Sequence, residues 1–262
     1  MIDIHSHLLP QIDDGPVTWD ETMAMVRQAF EDGIKEIAIT HHILSNVDYQ
    51  KERDIINKVV LLKNKMADEA IDIRIHLSSE IYYQPDMELS HAISTYNDNK
   101  KYFLVEFPMQ GIPRQAAEHF FKLVTEGVIP IIAHPERNMG MIKNPHRAYE
   151  FVQGGALLQM NAGSIVGRHG KQVKETAQIL LNGNLIHFLG TDAHNTRRRP
   201  MKLSDAWDTI AMGWGTERAN RLFIENAAKI LAGRPFNTPD PLPPQPLKKG
   251  FFAKLKNAFT DH

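Results

Sequence analysis

The sequence predicts an α/β protein folded as a distorted (β/α)7 barrel, TIM-like in plan, and three observations carry that prediction. Seven short apolar runs alternate with stretches of helical periodicity, the rhythm of a parallel sheet with helical crossovers. The runs end at residues 5, 42, 80, 106, 134, 161 and 192, so 26 to 38 residues separate one end from the next, about one βα unit per step. Polar side chains able to bind metal stand at nearly all of these ends. An open, doubly wound sheet gathers its ligand at a switch point between a few strands, whereas a closed barrel rings its site with the loops after every strand.

The chain opens on the first of these runs, Ile2-Asp-Ile-His5, which continues Ser6-His7 and is followed by Asp14. Residues two apart on a strand share a face, so His5 and His7 can point at one ion from one side. Alone, a His-x-His more often closes a strand than binds a metal; recurrence of such endings downstream raises its weight. Thr18-Trp-Asp-Glu21 has capping-box spacing and opens a helix with Met23, Val26, Ala29 and Phe30 on one face, which Gly33 ends. Residues 35–40 read as a strand running into His41 and His42. A helix over 51–70, with Val59, Leu62 and Met66 on its buried side, precedes a strand over 72–78 that leads to Glu80. Strands over 101–106, 128–133, 156–160 and 185–189 complete the seven, with helices over 114–126, 145–153 and 171–182 between them. Residues 203–212 and 217–231 add two more helices. The barrel is expected to occupy residues 1–235. Residues 236–262 then form a proline-rich linker or strap and a short basic amphipathic tail, 248–259.

The totals narrow the function. At 262 residues the chain suits one large core. Lys and Arg total 30 against 31 Asp and Glu, a net charge of −1, which weighs against a nuclease, since tracking a nucleic-acid backbone calls for a basic stripe. There are no cysteines, hence no disulfides, thiolate zinc sites, iron–sulfur clusters or cysteine nucleophiles. No apolar run approaches the roughly 18 residues of a membrane span, and a start that places His5 in the site leaves no room for a secretory signal. The expected location is the cytoplasm, with at most peripheral membrane contact through the basic tail.

Nine residues form the candidate site: His5, His7, Asp14, His42, Glu80, Glu106, His134, Asp192 and His194. Nine donors are too many for one ion. All are nitrogen or oxygen, which suits two or three closely spaced Mn²⁺, Fe²⁺ or Zn²⁺ ions engaged in hydrolysis. A lone glutamate is usually a surface residue, but Glu106 ends the apolar run Tyr102-Phe-Leu-Val, where an uncompensated carboxylate is costly to bury. His41 is expected on the opposite side of its strand end. His76, His91, His119, His146, His169, His187 and His262 fall off strand ends and receive no role.

Taken together, Ile-Asp-Ile-His5-Ser-His7 with Asp13-Asp14-Gly15, Thr40-His-His42, Ser79-Glu80, Glu106-Phe-Pro108, His134-Pro-Glu-Arg137-Asn138 and Thr191-Asp-Ala-His194 resemble the polymerase-and-histidinol-phosphatase (PHP) family. They are most similar to its branch of manganese-dependent bacterial protein-tyrosine phosphatases encoded with capsule and exopolysaccharide genes. The resemblance spans residues 1–235. It implies the PHP barrel, a trinuclear centre (Mn²⁺ by resemblance, Fe²⁺, Zn²⁺ or Mg²⁺ as alternatives) on the nine residues, and Glu80 as bridging ligand. It further implies Arg137 at the phosphate, and as partner a tyrosine kinase that controls polysaccharide chain length and carries the phosphotyrosine substrate. Without cysteine, attack by a metal-bound hydroxide replaces a phosphocysteine route. Arg168 is a second candidate for the phosphate oxygens, and His42 or His194 for the proton of the leaving group. The rival readings are a small-molecule phosphatase such as one for histidinol phosphate, an amide or nucleobase hydrolase, and a non-catalytic PHP scaffold. The second rival would call for a lysine where this chain has Glu106, and the third for missing ligands.

Overall fold

The computed structural model describes residues 1–247; the expected basic tail lies outside the described residues. Seven parallel strands follow one another around the sheet in chain order: β1 (Ile2–Ser6), β2 (Glu36–Ile43), β3 (Arg74–Tyr82), β4 (Tyr102–Glu106), β5 (Ile129–Ala133), β6 (Leu157–Asn161) and β7 (Phe188–Gly190). Helices α1 (Trp19–Glu31), α2 (Glu52–Asp68), α3 (Ala116–Thr125), α4 (Met139–Lys143), α5 (His146–Gln153), α6 (Ala162–Val166) and α7 (Lys171–Asn182) fill the crossovers and wrap the outside. The expected capping box is formed: Glu21 N–H donates to Thr18 Oγ1 at 3.2 Å, and Thr18 N–H returns a bond to Glu21 Oε2 at 3.2 Å. After β7 come α8 (Ser204–Trp214), α9 (Thr216–Asn220) and, across a π turn at Arg221–Glu225, α10 (Asn226–Leu231). Among the described residues no helix is long and apolar enough to cross a membrane.

Strand alternation divides the core in two. Ile37, Ile39 and Ile43 of β2 pack outward with the helices, whereas Ala38 packs into the barrel with Ile2, Ile4, Leu104, Ile131 and Phe188. The barrel interior is filled by Tyr96, Ile230 and Leu231, and the Tyr96 hydroxyl donates to the Ile4 carbonyl at 2.9 Å. A filled interior leaves only the rim of strand C-termini free for chemistry.

Three strands differ from the sequence expectation. β2 runs on to Ile43 and β3 through Glu80 to Tyr82, because the two stay paired as far as Ile43 and Ile81. β7 begins at Phe188 instead of residue 185: Leu185 N–H still closes the preceding helix on the Leu180 carbonyl, at 3.0 Å. The proline-rich stretch lies against the barrel. Phe236 meets the Phe188 ring edge-on at 5.6 Å, and Leu242 N–H donates to the Gly183 carbonyl at 2.8 Å.

The seam between β1 and β7 is the weak point of closure. It has one ladder bridge, Ser6 with Ala193, supported by bonds from His7 N–H to the Ala193 carbonyl (2.9 Å) and from Asp192 N–H to the His5 carbonyl (2.7 Å). A buried carboxylate supplies the rest: Asp3 accepts from Thr191 N–H (2.9 Å), Thr191 Oγ1–H (2.6 Å) and His5 N–H (3.2 Å). Burial pushes the Asp3 carboxyl up to about 6 although these donors oppose the shift. Gly190 lets the strands approach, since a Cβ there would meet His5 Cβ at 2.8 Å. Asp3→Ala strands three buried donors and should cost roughly 2 to 4 kcal/mol. In a chain of this size that lowers the melting temperature by roughly 5 to 15 °C, with Asp3→Asn milder because it keeps an acceptor oxygen. An unchanged melting curve for Asp3→Ala would show that the seam does not depend on this carboxylate.

Candidate metal centre

The two histidines of the first strand are held by their inner nitrogens. His5 Nδ1 lies 2.8 Å from Gln159 Oε1 and His7 Nδ1 lies 2.7 Å from Asp13 Oδ2, both oxygen acceptors. An acceptor at Nδ1 places the proton there and leaves the lone pair on Nε2, a tautomer assigned from the network. The two Nε2 atoms stand 3.3 Å apart, each 3.2 Å from Glu80 Oε2, with Asp192 Oδ1 at 3.5 and 3.6 Å. His5, His7, Glu80 and Asp192 thus offer four donor atoms within 4.8 Å of one another.

Two further groups share members with the first. His7, Asp14, His42 and His194 converge in the same way, with His194 Nε2 3.0 Å and His42 Nε2 3.5 Å from Asp14 Oδ1. His42, Glu80 and Glu106 form the third group, with His42 Nδ1 3.2 Å from Glu80 Oε2. His134 Nε2 closes the ring at 3.1 Å from Glu80 Oε1 and 3.5 Å from Glu106 Oε1. All nine residues selected from the sequence meet at one rim, and Glu80 touches two of the three groups.

The chemistry of this donor set fits cations. Glu80 is buried, and its Oε2 atom, His42 Nδ1 and His194 Nε2 are buried atoms that receive no hydrogen bond. Four carboxylates and converging imidazole lone pairs repel one another unless positive charge lies between them. The protein's own charges already lean that way. Burial opposes a charge on His7, yet the bonds to Asp13 and Glu80 push it up to about 10. Despite burial, His5 holds the carboxylates of Glu80 and Asp192 far below their ordinary range, and His194 and His42 do the same for Asp14. Glu106 moves the other way, raised by burial and by neighbouring Glu80. Two of the nine positions are also strained: His134 has φ of 31° and Asp192 has φ of 53°, left-handed values held by the surrounding structure.

Several residues in contact with the nine escaped the sequence. Asp13, next to the expected Asp14, bonds His7 and also accepts from the His42 N–H (3.0 Å) and Gly15 N–H (3.0 Å), so one carboxylate ties the ends of β1 and β2 together. Gln159 and Asn161 act from β6; Asn161 Nδ2 donates to Asp192 Oδ2 at 2.6 Å. Glu136 is wholly buried and accepts from Ser164 Oγ (2.6 Å) and Asn161 N–H (3.1 Å), fixing the loop that carries Arg137. The run His134-Pro-Glu-Arg137 and the segment Asn161-Ala-Gly-Ser164 were the available signals; the pairing between them was not.

The arginines differ from expectation in one respect. Arg137 Nη1 donates to Asp192 Oδ2 at 2.8 Å, at the rim as expected. Arg168 instead pairs with Asp205 at 3.3 Å, half-exposed, and Arg199 takes the second place at Asp192, bonding its carboxylate and, at 3.0 Å, its carbonyl. The ring nitrogens of His42 and His194 point at the carboxylates of the cluster. His42 faces Glu80 and Asp14, and His194 faces Asp14 and, through Nδ1, the Asp192 carbonyl at 3.0 Å. His41 is on the outer side of β2, as anticipated, with its Nε2 3.2 Å from Ser79 Oγ. His169 lines a small cavity with Arg168, Arg198 and Arg199, held neutral by burial and by the charge of Arg137, which depress it to about 4.

Two clefts open from the cluster, and Asp14 lies on the wall of both. One, of about 470 Å³, adds Ile12, Ile43, Leu44, Ile55 and Tyr82 to Asp14, His42 and Glu106. The other, of about 530 Å³, runs between Asp14, Gly15 and Val17 on one side and His194, Asn195, Arg197 and Arg198 on the other.

Residues 1–232 match the family model described as capsular polysaccharide synthesis, CpsB/CapC. The chain is 36% identical to the tyrosine-protein phosphatase YwqE of Bacillus subtilis over 259 residues, 96% of this chain and all of that protein. It is 33% identical to the tyrosine-protein phosphatase CpsB of Streptococcus agalactiae over 240 residues, 88% of this chain and 98% of that one. Among solved structures it superposes with a TM-score of 0.85 and 35% identity on one from a study of YwqE from Bacillus subtilis and CpsB from Streptococcus pneumoniae, described as metal-dependent tyrosine phosphatases. The superposition covers 95% of this chain and all of the other.

Because Asp13 holds His7 Nδ1 and the end of β2, Asp13→Ala should weaken divalent-metal binding roughly 10- to 100-fold with the barrel still folded. Calorimetric titration of chelated protein beside circular dichroism reads both quantities. Unaltered affinity would reduce Asp13 to a turn-forming residue.

Proposed function

The chain belongs to the CpsB/CapC family of capsular polysaccharide synthesis, and on that premise we propose that it is a metal-dependent protein-tyrosine phosphatase. The observation that carries this reading is the opening of a cleft with an apolar wall directly onto a rim of nitrogen and oxygen donors: Ile12, Ile43, Leu44, Ile55 and Tyr82 beside Asp14, His42 and Glu106. Full-length similarity to tyrosine-protein phosphatases supports it. The absence of cysteine removes the phosphocysteine alternative.

The proposed ligands are the nine residues of the rim, and Mn²⁺, in three positions, is the proposed native ion, with Fe²⁺, Zn²⁺ and Mg²⁺ as competitors for the same oxygen- and nitrogen-rich set. Bound there, the ions supply an activated water and neutralise charge on the transferring phosphoryl group. The protein does the rest. His5, His7, His42, His134 and His194 are oriented through β1, β2, β5 and the loop after β7. Arg137 and Arg199, both anchored on Asp192, present guanidinium forks toward the phosphate oxygens. The apolar cleft takes the tyrosine ring and excludes water from it. The proposed protein substrate is the tyrosine kinase of a capsule or exopolysaccharide system.

Chelated enzyme given back each metal, and offered a phosphotyrosine peptide, histidinol phosphate and single-stranded DNA, should turn over the peptide best and with Mn²⁺. Preference for histidinol phosphate would move the assignment to a small-molecule phosphatase, and full activity with zero bound metal would end the metal reading. Arg137→Lys keeps the charge but loses the bidentate geometry. Both it and Arg137→Ala should lower kcat/KM on the peptide by roughly 10- to 1,000-fold with metal content unchanged. Loss of metal in these variants would reassign Arg137 to support of Asp192.

A further inference from the structure

The second cleft at Asp14 has no task in the reading above, and its far wall carries two arginines. The loop after His194 runs Asn195-Thr-Arg-Arg-Arg199-Pro. Asn195 Oδ1 accepts from three successive backbone N–H groups, those of Arg197 (3.0 Å), Arg198 (2.7 Å) and Arg199 (3.2 Å). The His194 and Asn195 N–H groups close the loop on the Arg199 carbonyl at 3.0 and 3.2 Å. Gln28 Nε2 holds the Thr196 carbonyl from outside at 3.2 Å, and the Arg199 guanidinium anchors the far end on Asp192. A loop tied at this many points presents its side chains from a fixed backbone, which lowers the entropy lost when they bind.

The three arginines of that loop part company. Arg199 turns inward. Arg197 and Arg198 are exposed and line the cleft together with His194, across from Asp14 and Glu21. Their neighbours at the rim all meet a carboxylate: Arg137 and Arg199 meet Asp192, and Arg168 and Lys202 meet Asp205. Among the described residues no carboxylate pairs with Arg197 or Arg198. A chain of net charge −1 leaves two guanidinium groups on a fixed backbone without an ion-pair partner beside its candidate site.

Resting on the phosphatase reading, we propose that Arg197 and Arg198 bind acidic side chains flanking the phosphotyrosine of a protein substrate. With the tyrosine ring in the apolar cleft and phosphate at the metal rim, the peptide on the other side of Asp14 passes along this wall. A carboxylate there meets a guanidinium fork, a charge-assisted pair. Such pairs at an exposed rim contribute modestly and weaken with salt.

The test compares two phosphotyrosine peptides, one with Glu and Asp on both flanks and one with Ser and Gly, on the Mn²⁺-loaded full chain. Affinity is read by fluorescence anisotropy with non-hydrolysable phosphonate analogues, and KM and kcat with the phosphates. The acidic peptide should bind roughly 10-fold tighter, with the preference in KM and not in kcat. Arg197→Gln and Arg198→Gln should each remove about threefold of it, and the double variant nearly all of it. Raising the salt from 0.1 to 1 M should erase the preference, whereas Arg234→Gln, an exposed arginine after the last helix, should leave it intact. Equal affinity for the two peptides in the native protein overturns the proposal, as does a preference that survives the double variant. Failure of the phosphatase reading looks different: neither phosphopeptide is turned over with any metal, while the phosphonate arm still reports on the arginines.

Discussion

Glu80 is a carboxylate sealed among five imidazoles and three further carboxylates, and the rest of the structure is arranged to make that position tolerable. Burying such a charge costs several kcal/mol unless opposite charge and hydrogen-bond donors surround it. Here each of His5, His7, His42 and His134 brings a ring nitrogen within 3.2 Å of a Glu80 oxygen, a setting that calls for cations between them. Those rings come from three different strand ends, so the barrel must close before the carboxylate has its partners. Closure in turn falls to the β1–β7 seam, where Asp3 and Thr191 stand in for a ladder. The requirement to hold charge at the rim thus reaches down to the far side of the first strand.

Around the nine donors lies a set of residues whose work is orientation. Asp13 and Gln159 perform the same task on adjacent histidines with different charge, a carboxylate on His7 and an amide on His5. A carboxylate partner makes its imidazole the stronger base, so the two histidines of one His-x-His pair are unequal ligands. Asp192 collects Arg137, Arg199 and Asn161, which places two cations beside the rim without a lysine that could itself be deprotonated.

Much of this was legible in the sequence, for a physical reason. A parallel barrel puts its functional side chains at the last positions of apolar strands, so hydrophobic runs and metal-binding residues mark the same places; His5, His42, Glu80, Glu106 and His134 all stand there. What was hidden were pairings between distant residues: Gln159 with His5, Thr191 with Asp3, Arg199 with Asp192 and Glu136 with Ser164. Nothing in a local pattern says which of two adjacent aspartates faces the metal rim, or which arginine of Arg197-Arg-Arg199 turns inward. β7 was misplaced for a related reason. Leu185 and Ile186 look like strand residues but close the preceding helix and fill the core, and the ladder starts only when the chain reaches β6.

The central claim is that these nine side chains form one multinuclear metal centre. Crystals of the protein loaded with Mn²⁺, measured on both sides of the manganese absorption edge, test it most directly. The account predicts anomalous peaks at three positions: among His5, His7, Glu80 and Asp192, among Asp14, His42 and His194, and among Glu80, Glu106 and His134. No peak at the rim, or manganese bound only elsewhere on the barrel, would contradict it.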